Sequence, residues 1–303
     1  MKIGIFWGSS GFVGAELIKL FSKRKELDIC HCKISRYEGC KSEDTAGDIE
    51  VAFLALPASQ SMKLVPKLLD QKIKIIDLSG AYRLKTAADY QDWYGFRHVY
   101  PSLLGKAVYG LPEKNRQMIR ASKFIANPGC YATAVSLGLL PLVENHIIDA
   151  EAKIVVEAVS GYTGGGKDVK IPGVVTPYKG GRQHQHIPEI EQELNIKGQL
   201  LFYPHIAPWP RGIELVIHAK MITEANLMAL YKEVYGQEPF IQVCPEDIKR
   251  DDVIGTNFCN IYPSVDGSIA IINVAIDNLG KGAAGQAVQN FNLMCGFAEE
   301  EVY

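Results

Sequence analysis

Residues 2–25 read KIGIFWGSSGFVGAELIKLFSKRK and decide the fold. An apolar run at 2–7 ends in Gly-Ser-Ser-Gly, after which apolar residues recur at helical spacing. The recurring positions are Val13, Leu17, Leu20 and Phe21. The stretch therefore predicts a strand, a glycine turn and a helix in succession.

Strand-like and helical segments alternate through the first part of the chain. Apolar runs at 27–34, 51–56 and 74–78 follow the opening strand, and residues 59–71 have helical character. Pro66 lies inside the helical segment, so we expect that helix to be kinked or shortened. The alternation predicts an α/β domain with a Rossmann-type, doubly wound parallel sheet.

The pattern changes after Thr133. Longer strand-like segments lie at 153–159, 212–221, 258–263 and 268–276, and the last two are joined in the manner of a hairpin. They predict a second, α+β domain on a mainly antiparallel sheet. Residues 282–297 are again helical, with apolar residues on one face: Ala283, Ala287, Val288 and Phe291.

Composition excludes several classes of protein. With 32 basic and 34 acidic residues among 303, no broad field favours nucleic acid or an anionic membrane. No apolar run approaches the ~20 residues of a membrane span, and we expect no signal peptide. The seven cysteines lack the paired spacings of disulfides or zinc sites, which favours a reducing compartment. We expect a cytoplasmic protein without bound metal, acting on a small molecule.

The first glycine loop has the context of a dinucleotide-binding site. It consists of Gly8, Ser9, Ser10, Gly11, Phe12, Val13 and Gly14. Glycines let the backbone approach a pyrophosphate, and a helix N-terminus supplies amide donors. The spacing is G-x-x-G-x-x-G rather than G-x-G-x-x-G, and a glycine turn without a ligand is the alternative.

The end of the second strand indicates which dinucleotide binds. An acidic residue there favours NAD, but this chain has Ser35 and Arg36. A hydroxyl and a guanidinium suit the 2′-phosphate of NADP. A solvated Arg36 at the surface is the other interpretation.

Residues 127–133, NPGCYAT, place Cys130 between a Pro-Gly turn and an apparent helix start. A catalytic cysteine reacts as a thiolate, which a helix N-terminus or a cation stabilises. In the stretch 180–190, GGRQHQHIPEI, Glu189 can orient His186 for acid/base work if a helix begins near Pro188. A metal would need ligands beyond His184 and His186, and none stands at a sensible spacing.

A second glycine loop, SGYTGGGK at 160–167, follows a strand of the second domain. It lacks the spacing of an ATP-binding P-loop. A backbone nest lining a substrate pocket, with Ser160 and Gly161 at its start, fits better. A plain turn is the alternative.

The motifs together resemble the N-acetyl-gamma-glutamyl-phosphate reductase family, which is close kin to the aspartate-semialdehyde dehydrogenases. The stretches that carry the resemblance run nearly end to end: 8–14, 53–57, 77–79, 109–113, 127–133, 160–167, 184–189 and 276–287. The overall length and residues 160–167 resemble the shorter of the family's two subclasses, whereas the segment 35–48 is shorter than in most members of the family.

The resemblance implies an enzyme of arginine biosynthesis that uses NADPH to reduce N-acetyl-L-glutamyl 5-phosphate, a small acyl phosphate, to its semialdehyde. It implies Cys130 as the nucleophile, His186 as the acid/base residue and Glu189 as its helper. It also implies that Pro57 contacts the cofactor and that Arg83 and Asn127 lie around the reacting phosphate.

The resemblance further implies a division of the chain into an NADP-binding domain and a catalytic and dimerisation domain. The first would comprise 1–130 and 279–303, the second 131–278. The enzyme would be a homo-oligomer, either a dimer or a tetramer.

Three other functions are compatible with parts of the pattern. One is reduction of a different acyl phosphate, such as aspartyl phosphate or a carrier-bound aminoadipyl phosphate. Another is a non-enzymatic NADP-binding protein whose cysteine senses redox state, which leaves the histidine and carboxylate motifs unexplained. The third is a zinc-dependent hydrolase or alcohol dehydrogenase, against which the missing ligand set argues.

Overall fold

The structure is a computed structural model that describes residues 1–7, 11–32, 49–149, 151–166 and 169–302. The chain forms two compact units, Met1–Gly129 with Ala283–Tyr303, and Cys130–Gly282. The domain boundaries predicted from the sequence differ slightly from those of these units. They put Cys130 and residues 279–282 in the first domain. Cys130 begins a helix of the second unit, and Asp277 of that unit accepts hydrogen bonds from the backbone of the segment that follows it.

The first unit is built on a parallel sheet. Its strands are β1 (Lys2–Trp7), β2 (Asp28–Cys32), β3 (Val51–Ala55), β4 (Lys74–Asp77), β5 (Val108–Tyr109) and β6 (Phe124–Ala126). In the described residues they run in the order β2-β1-β3-β4-β6-β5, with parallel neighbours throughout. The chain changes direction across the sheet at β1, the kind of switch point at which doubly wound folds bind ligands. The predicted fold class of this unit is confirmed.

Helices cover both faces of this sheet. They are α1 (Phe12–Phe21), α2 (Ala58–Asp70), α3 (Ala87–Tyr94), α4 (Pro112–Ala121) and, from the end of the chain, α8 (Gly285–Cys295). On one face Phe21 and Phe291 pack around Phe53, with ring centroids 5.1 and 5.7 Å from it. On the other face Val65 and Leu68 of α2 belong to the core cluster that contains Leu54.

Helix α2 continues through Pro66 to Asp70, so of the two predicted effects, a kink or a shortened helix, the shortening is wrong. Proline lacks the N–H that would bond the carbonyl four residues earlier, which here belongs to Met62. The buried hydroxyl of Tyr82 donates to that carbonyl over 2.8 Å. A contact from elsewhere in the unit thus replaces the missing helical hydrogen bond.

Helix α8 is buried around its whole circumference, not only on the predicted apolar face. Ala287, Val288 and Phe291 join the core as predicted. The side-chain amides of Gln286 and Asn290 are also buried, and both donate to the carbonyl of Gly110, at 2.8 and 2.9 Å. Burial of these amides is tolerated because those hydrogen bonds replace water.

The second unit is built on a mixed sheet. Its strands are β7 (Ile154–Gly161), β8 (Thr176–Pro177), β9 (Leu200–Ala207), β10 (Ile213–Lys220), β11 (Ile241–Val243), β12 (Cys259–Asp266) and β13 (Ile269–Ile276). Their order in the described chain is β11-β12-β13-β10-β7-β9-β8. Only the β11–β12 and β7–β9 neighbours are parallel, so the prediction of a mainly antiparallel sheet with a terminal hairpin is confirmed.

Three helices complete the described part of this unit: α5 (Cys130–Glu144), α6 (Ile187–Leu194) and α7 (Leu227–Tyr235). Pro141 lies within α5 and leaves the carbonyl of Leu137 without its helical partner. The buried hydroxyl of Tyr235 donates a hydrogen bond to that carbonyl. In the described ranges, no helix has both the length and the apolar character needed to cross a membrane.

Candidate active site

Cys130 is the first residue of α5 and follows the turn that leaves β6. Its side chain is half-buried. The first turn of α5 contains no acidic residue, so no negative charge opposes the partial positive charge at the helix N-terminus. A helix N-terminus is a position at which a catalytic cysteine can react, and the role of Cys130 as the nucleophile stays a prediction.

The thiol opens into a cavity of 410 Å³ within the second unit. Besides Cys130, the cavity is lined by Tyr131, Ser160, Gly161, Gly164, Gly165, Val169, Lys170, Tyr178, His184, Gln185, His186 and Ile206. The structure thus brings together the predicted nucleophile, the predicted acid/base residue and the start of the second glycine loop.

His186 and Glu189 are held by the first turn of α6. The helix begins at Ile187, directly after His186, and Pro188 lies in its first turn. Nε2 of His186 lies 3.9 Å from Oε1 of Glu189, a distance for a charge interaction rather than a hydrogen bond. Glu189 is fully buried, so little water screens that interaction. This arrangement suits a carboxylate that supports a protonated imidazole.

An ion pair anchors α6 to the sheet. The Arg182 guanidinium donates to Glu191 of α6 over 3.0 Å and to the carbonyl of Leu200 in β9 over 2.9 Å. Burial raises the pKa of the Glu191 carboxyl, but hydrogen bonds from Arg182 and from backbone amides outweigh it and hold the pKa below its usual value. The helix that carries His186 is thereby fixed against β9.

Two tyrosines of the cavity were not found by sequence reasoning. Burial raises the pKa of Tyr178 to about 12, with the nearby Cys130 contributing, and burial also raises that of Tyr131 well above its usual value. Both phenols therefore remain protonated, and the Tyr131 hydroxyl donates to the His205 carbonyl over 3.1 Å. Tyr131 could have been suspected from its place beside Cys130, but Tyr178 has no local sequence signal.

The second glycine loop forms one wall of the cavity. Ser160 is buried, and the amide of Gly161 donates to the carbonyl of Gly212 over 2.9 Å. A Cβ on Gly161 would lie 2.5 Å from the carbonyl oxygen of Pro210, so this position admits only glycine. Lys167, the last residue of the loop, lies outside the described residues.

The backbone of Gly282 closes the other side of Cys130. A Cβ at Gly282 would lie 2.8 Å from the Cβ of Cys130. The buried Asp277 holds this segment: its carboxylate accepts from the amides of Leu279 and Gly280, and its carbonyl accepts from the amide of Gly282. Arg211 in turn pairs with that carboxylate over 2.8 Å. Sequence reasoning missed this support.

Arg83 and Asn127 meet in the first unit. Nε of Arg83 donates to the carbonyl of Asn127 over 2.8 Å, and a second nitrogen donates to the carbonyl of Leu78. Asn127 is 1 % exposed, and its side chain donates to Ala283 and accepts from Asn290. These contacts hold the turn that leads to the nucleophile, and contact of either side chain with substrate stays a prediction.

The described part of the predicted cofactor site fits a dinucleotide phosphate. Gly11 is the N-cap of α1 and Pro57 that of α2, at the carboxyl ends of the adjacent parallel strands β1 and β3. Neither N-cap makes a side-chain capping hydrogen bond, and neither first turn is acidic, so amide donors face no competing negative charge. Phe12 and Val13 are half-exposed and Gly14 is buried in the first turn of α1.

Five residues of the predicted cofactor site lie outside the described residues: Gly8, Ser9, Ser10, Ser35 and Arg36. The interpretation of the last two as a 2′-phosphate site stays a prediction. Among the described residues, no three histidine, cysteine, aspartate or glutamate side chains are grouped as metal ligands.

Family models match both parts of the chain. Residues 36–122 match "Semialdehyde dehydrogenase, NAD binding domain" and residues 130–278 match "Semialdehyde dehydrogenase, dimerisation domain". The aspartate semialdehyde dehydrogenase II of Vibrio cholerae superposes with a TM-score of 0.74 at 17% identity, covering 97% of this chain and 98% of that one. Fold and family models together define a dehydrogenase of the semialdehyde class.

Two relatives identify the family within this class. N-acetyl-gamma-glutamyl-phosphate reductases of Dehalococcoides mccartyi and Nitrosospira multiformis are 38% and 39% identical to this chain, over 99% of it and 96% of each relative. The chain belongs to the N-acetyl-gamma-glutamyl-phosphate reductase family.

Proposed function

We propose that the protein catalyses the NADPH-dependent reduction of N-acetyl-L-glutamyl 5-phosphate to N-acetyl-L-glutamate 5-semialdehyde and phosphate, a step of arginine biosynthesis. The observation that carries the chemistry is the cavity in which Cys130 and His186 meet. The names of the relatives supply the substrate.

The Cys130 thiolate displaces phosphate from the acyl phosphate and forms a thioester. The N-terminus of α5 stabilises the anion that attacks. Covalent capture divides one difficult reduction into two easier steps and fixes the carbonyl carbon at the sulfur. Phosphate leaves with the electron pair of its bond to the acyl carbon.

His186 moves the proton of the second step. NADPH, when bound, supplies the hydride that reduces the thioester. The imidazolium of His186 then gives its proton to the oxygen anion on the former carbonyl carbon, which forms a neutral thiohemiacetal. As that hydroxyl returns its proton to the neutral imidazole, the carbon–sulfur bond breaks, its electron pair leaves with the sulfur, and aldehyde and thiolate are released. Glu189 holds positive charge on the imidazole from 3.9 Å. Tyr178 and Ser160 offer hydroxyl groups to the substrate from the cavity wall.

The first unit binds the cofactor in this proposal. The amide groups at the start of α1, from Gly11 to Gly14, and the N-terminus of α2 at Pro57 would hold the phosphates. Ser35 and Arg36 carry the preference for NADP over NAD. Arg83 and Asn127 support the turn before Cys130, and their place around the reacting phosphate stays a prediction from the sequence.

The reverse reaction tests the function. Phosphate-dependent reduction of NADP⁺ is measured with N-acetylglutamate semialdehyde and, separately, with aspartate semialdehyde, in the wild type, Cys130→Ser and Cys244→Ser. Cys244 is a matched control, because it is a half-buried thiol of the same unit that does not line the cavity. We expect turnover of the acetylated aldehyde in the wild type and the control, and none in Cys130→Ser. Activity of Cys130→Ser would refute the nucleophile, and a preference for aspartate semialdehyde would refute the substrate.

We further propose that a second copy of the chain covers the open face of the mixed sheet, in a dimer or tetramer. Helix α5 packs against the face that carries Ile217 and Val274. Side chains of the opposite face are partly exposed, among them Val155, Val216 and Ile271, and Tyr203 is 43% exposed. The match of this unit to a dimerisation domain supports a second copy of the chain as the partner that covers this face.

Light scattering tests the interface. We expect an oligomer for the wild type and for the control Gly105→Ala, whose new Cβ would have no neighbour within 4 Å. Val216→Lys should dissociate it, because a charge would be buried in the contact. An unchanged mass in Val216→Lys would contradict the assignment of this face.

A cytoplasmic location stays a prediction from the sequence.

A further inference from the structure

His184 is a buried histidine beside the proposed acid/base residue. Its side chain is 3% exposed and lies in the turn before α6. The rings of Tyr131, Tyr178 and Phe202 surround it edge-on, with centroids 5.7, 5.8 and 5.2 Å away. The His186 ring lies closest, at 4.6 Å and nearly perpendicular. Packing on several sides leaves the His184 ring little freedom.

The hydrogen bonding of His184 fixes its protonation. The backbone N–H of His186 donates to Nδ1 of His184 over 3.1 Å. Nδ1 can accept only when it carries no proton, so the ring is neutral with its proton on Nε2. In a protonated ring, the N–H at Nδ1 would face the backbone N–H of His186, and two donors would meet without an acceptor. The carbonyl of His184 also accepts from the amide of Ile187 over 3.0 Å, so side chain and backbone together shape the turn that holds His186.

The electrostatic surroundings act in the same direction. Burial, and then the nearby His186 and Lys179, lower the pKa of His184 to about 2, against a smaller opposite effect of Glu189. The phenols of Tyr131 and Tyr178 stay neutral, and the Cys130 thiol lines the same cavity. Glu189 instead lies 3.9 Å from the His186 ring. Among the described residues, Glu189 therefore acts chiefly on His186, because its effect on the pKa of His184 is smaller than those of burial, His186 and Lys179.

We propose that His184 is a positioning residue that stays neutral throughout turnover, holds His186 through the Nδ1 hydrogen bond, and leaves the titrating proton on His186. Its part in catalysis rests on the proposed function, whereas its neutral tautomer does not. Loss of the acceptor would free the turn before α6 and let the His186 ring move. A misplacement of about 1 Å at a reacting group can cost on the order of 100-fold in rate.

Two substitutions of His184 distinguish the effect of its hydrogen-bond acceptor, Nδ1, from the effect of the volume of its ring. Asn places Oδ1 near the position of Nδ1, so His184→Asn keeps the acceptor, whereas His184→Leu keeps apolar volume without it. His146→Asn is the control, because His146 is exposed and has a φ of 54°, which asparagine tolerates. In the reverse reaction we expect kcat/KM within about 5-fold of wild type for His184→Asn, and roughly 10- to 100-fold lower for His184→Leu.

Two measurements decide between positioning and a merely structural or titrating role. Hydrogen–deuterium exchange at the C2 carbon of each histidine, followed by mass spectrometry, reports protonation without any assay of activity. We expect no titration of His184 between pH 5 and 9, and an unchanged acid limb of the pH–rate profile in His184→Asn. Titration of His184 in that range, loss of the limb in His184→Asn, or equal rates in the Asn and Leu variants would overturn the proposal.

A failure of the proposal for His184 can be told apart from a failure of the proposed function. If the wild type does not act on N-acetylglutamate semialdehyde, the proposed substrate fails, but the exchange at His184 still shows whether the ring is neutral. If His184→Leu does not fold, the exchange data and the His184→Asn profile still decide the question.

Discussion

Substitution of Gly282 by alanine should displace the nucleophile. The new Cβ would lie 2.8 Å from the Cβ of Cys130 and 3.1 Å from the carbonyl oxygen of Asp277. Carbon atoms make favourable contact at about 3.5–4.0 Å, so one partner must retreat by about 1 Å. The hydrogen bonds to Asp277 hold the Gly282 segment, and the displacement therefore falls on Cys130.

The expected cost follows from that displacement. Misplacing a reacting atom by about 1 Å costs on the order of 100-fold in rate, and overpacking destabilises a core by about 1–3 kcal/mol. We therefore expect Gly282→Ala to lower kcat/KM about 100-fold while the protein stays folded. The assays are the reverse reaction, alkylation of the Cys130 thiol with iodoacetamide, and thermal unfolding.

Gly138→Ala is the matched control. Gly138 lies in α5, the helix that Cys130 begins, and a Cβ there would lie 2.6 Å from a methyl group of Ile217. It adds a comparable contact in the same helix, away from the cavity, and should leave the rate within about 3-fold of wild type. A rate for Gly282→Ala within 3-fold of wild type would refute the reasoning, as would an equal loss in both variants.

Three further predictions concern the carboxylate, the buried histidine and the proline of α2. Glu189→Gln should lower kcat/KM for the reverse reaction by roughly 10- to 100-fold and move the acid limb of the pH–rate profile to lower pH, because the charge that favours a protonated His186 imidazole is lost. Glu193→Gln on the same helix serves as the control. An unmoved acid limb in Glu189→Gln would contradict the role of Glu189 as the helper of His186. His184, with its pKa lowered to about 2 against about 6.5 in the unfolded chain, takes up a proton on unfolding below pH 6.5. Stability should therefore fall by about 1.4 kcal/mol per pH unit as pH drops below 6.5; urea unfolding at pH 6.5 and 5 should show this slope reduced in His184→Asn, and equal slopes would argue against it. Tyr82→Phe should cost about 1–3 kcal/mol by leaving a buried carbonyl unpaired, and less in a Pro66→Ala background, where alanine supplies the N–H; equal costs in both backgrounds would disprove the compensation.

The sequence predicted the parts of the site that depend on neighbours along the chain. Cys130 follows a Pro-Gly turn, and the helix that it begins is where local pattern placed it. His186 and Glu189 are three residues apart at a helix start, a spacing that puts both on one face of the first turn. The class of the first sheet, doubly wound and parallel, follows likewise from alternating strand-like and helical segments.

Other features could not be derived from local pattern, because they join residues that are distant in sequence. Pro66 predicts a kinked or shortened helix, but α2 continues through it, and the Tyr82 hydroxyl donates to the carbonyl that proline leaves unpaired. For α8 the sequence predicted only an apolar face, yet the polar side chains of Gln286 and Asn290 are also buried and donate to the carbonyl of Gly110. In both cases a hydrogen bond from elsewhere in the unit reverses the local preference.

The sequence by itself determined the α/β domain followed by an α+β domain on a mainly antiparallel sheet, the helix N-terminus at Cys130 and the closeness of His186 to Glu189. Backbone conformation and spacing within one turn suffice for these. Only the tertiary structure decided that Tyr178 and His184 share the cavity of the thiol, that His184 is held neutral, and that Gly282 packs against Cys130. Strand order and core packing set those distances, and no local pattern of residues encodes them.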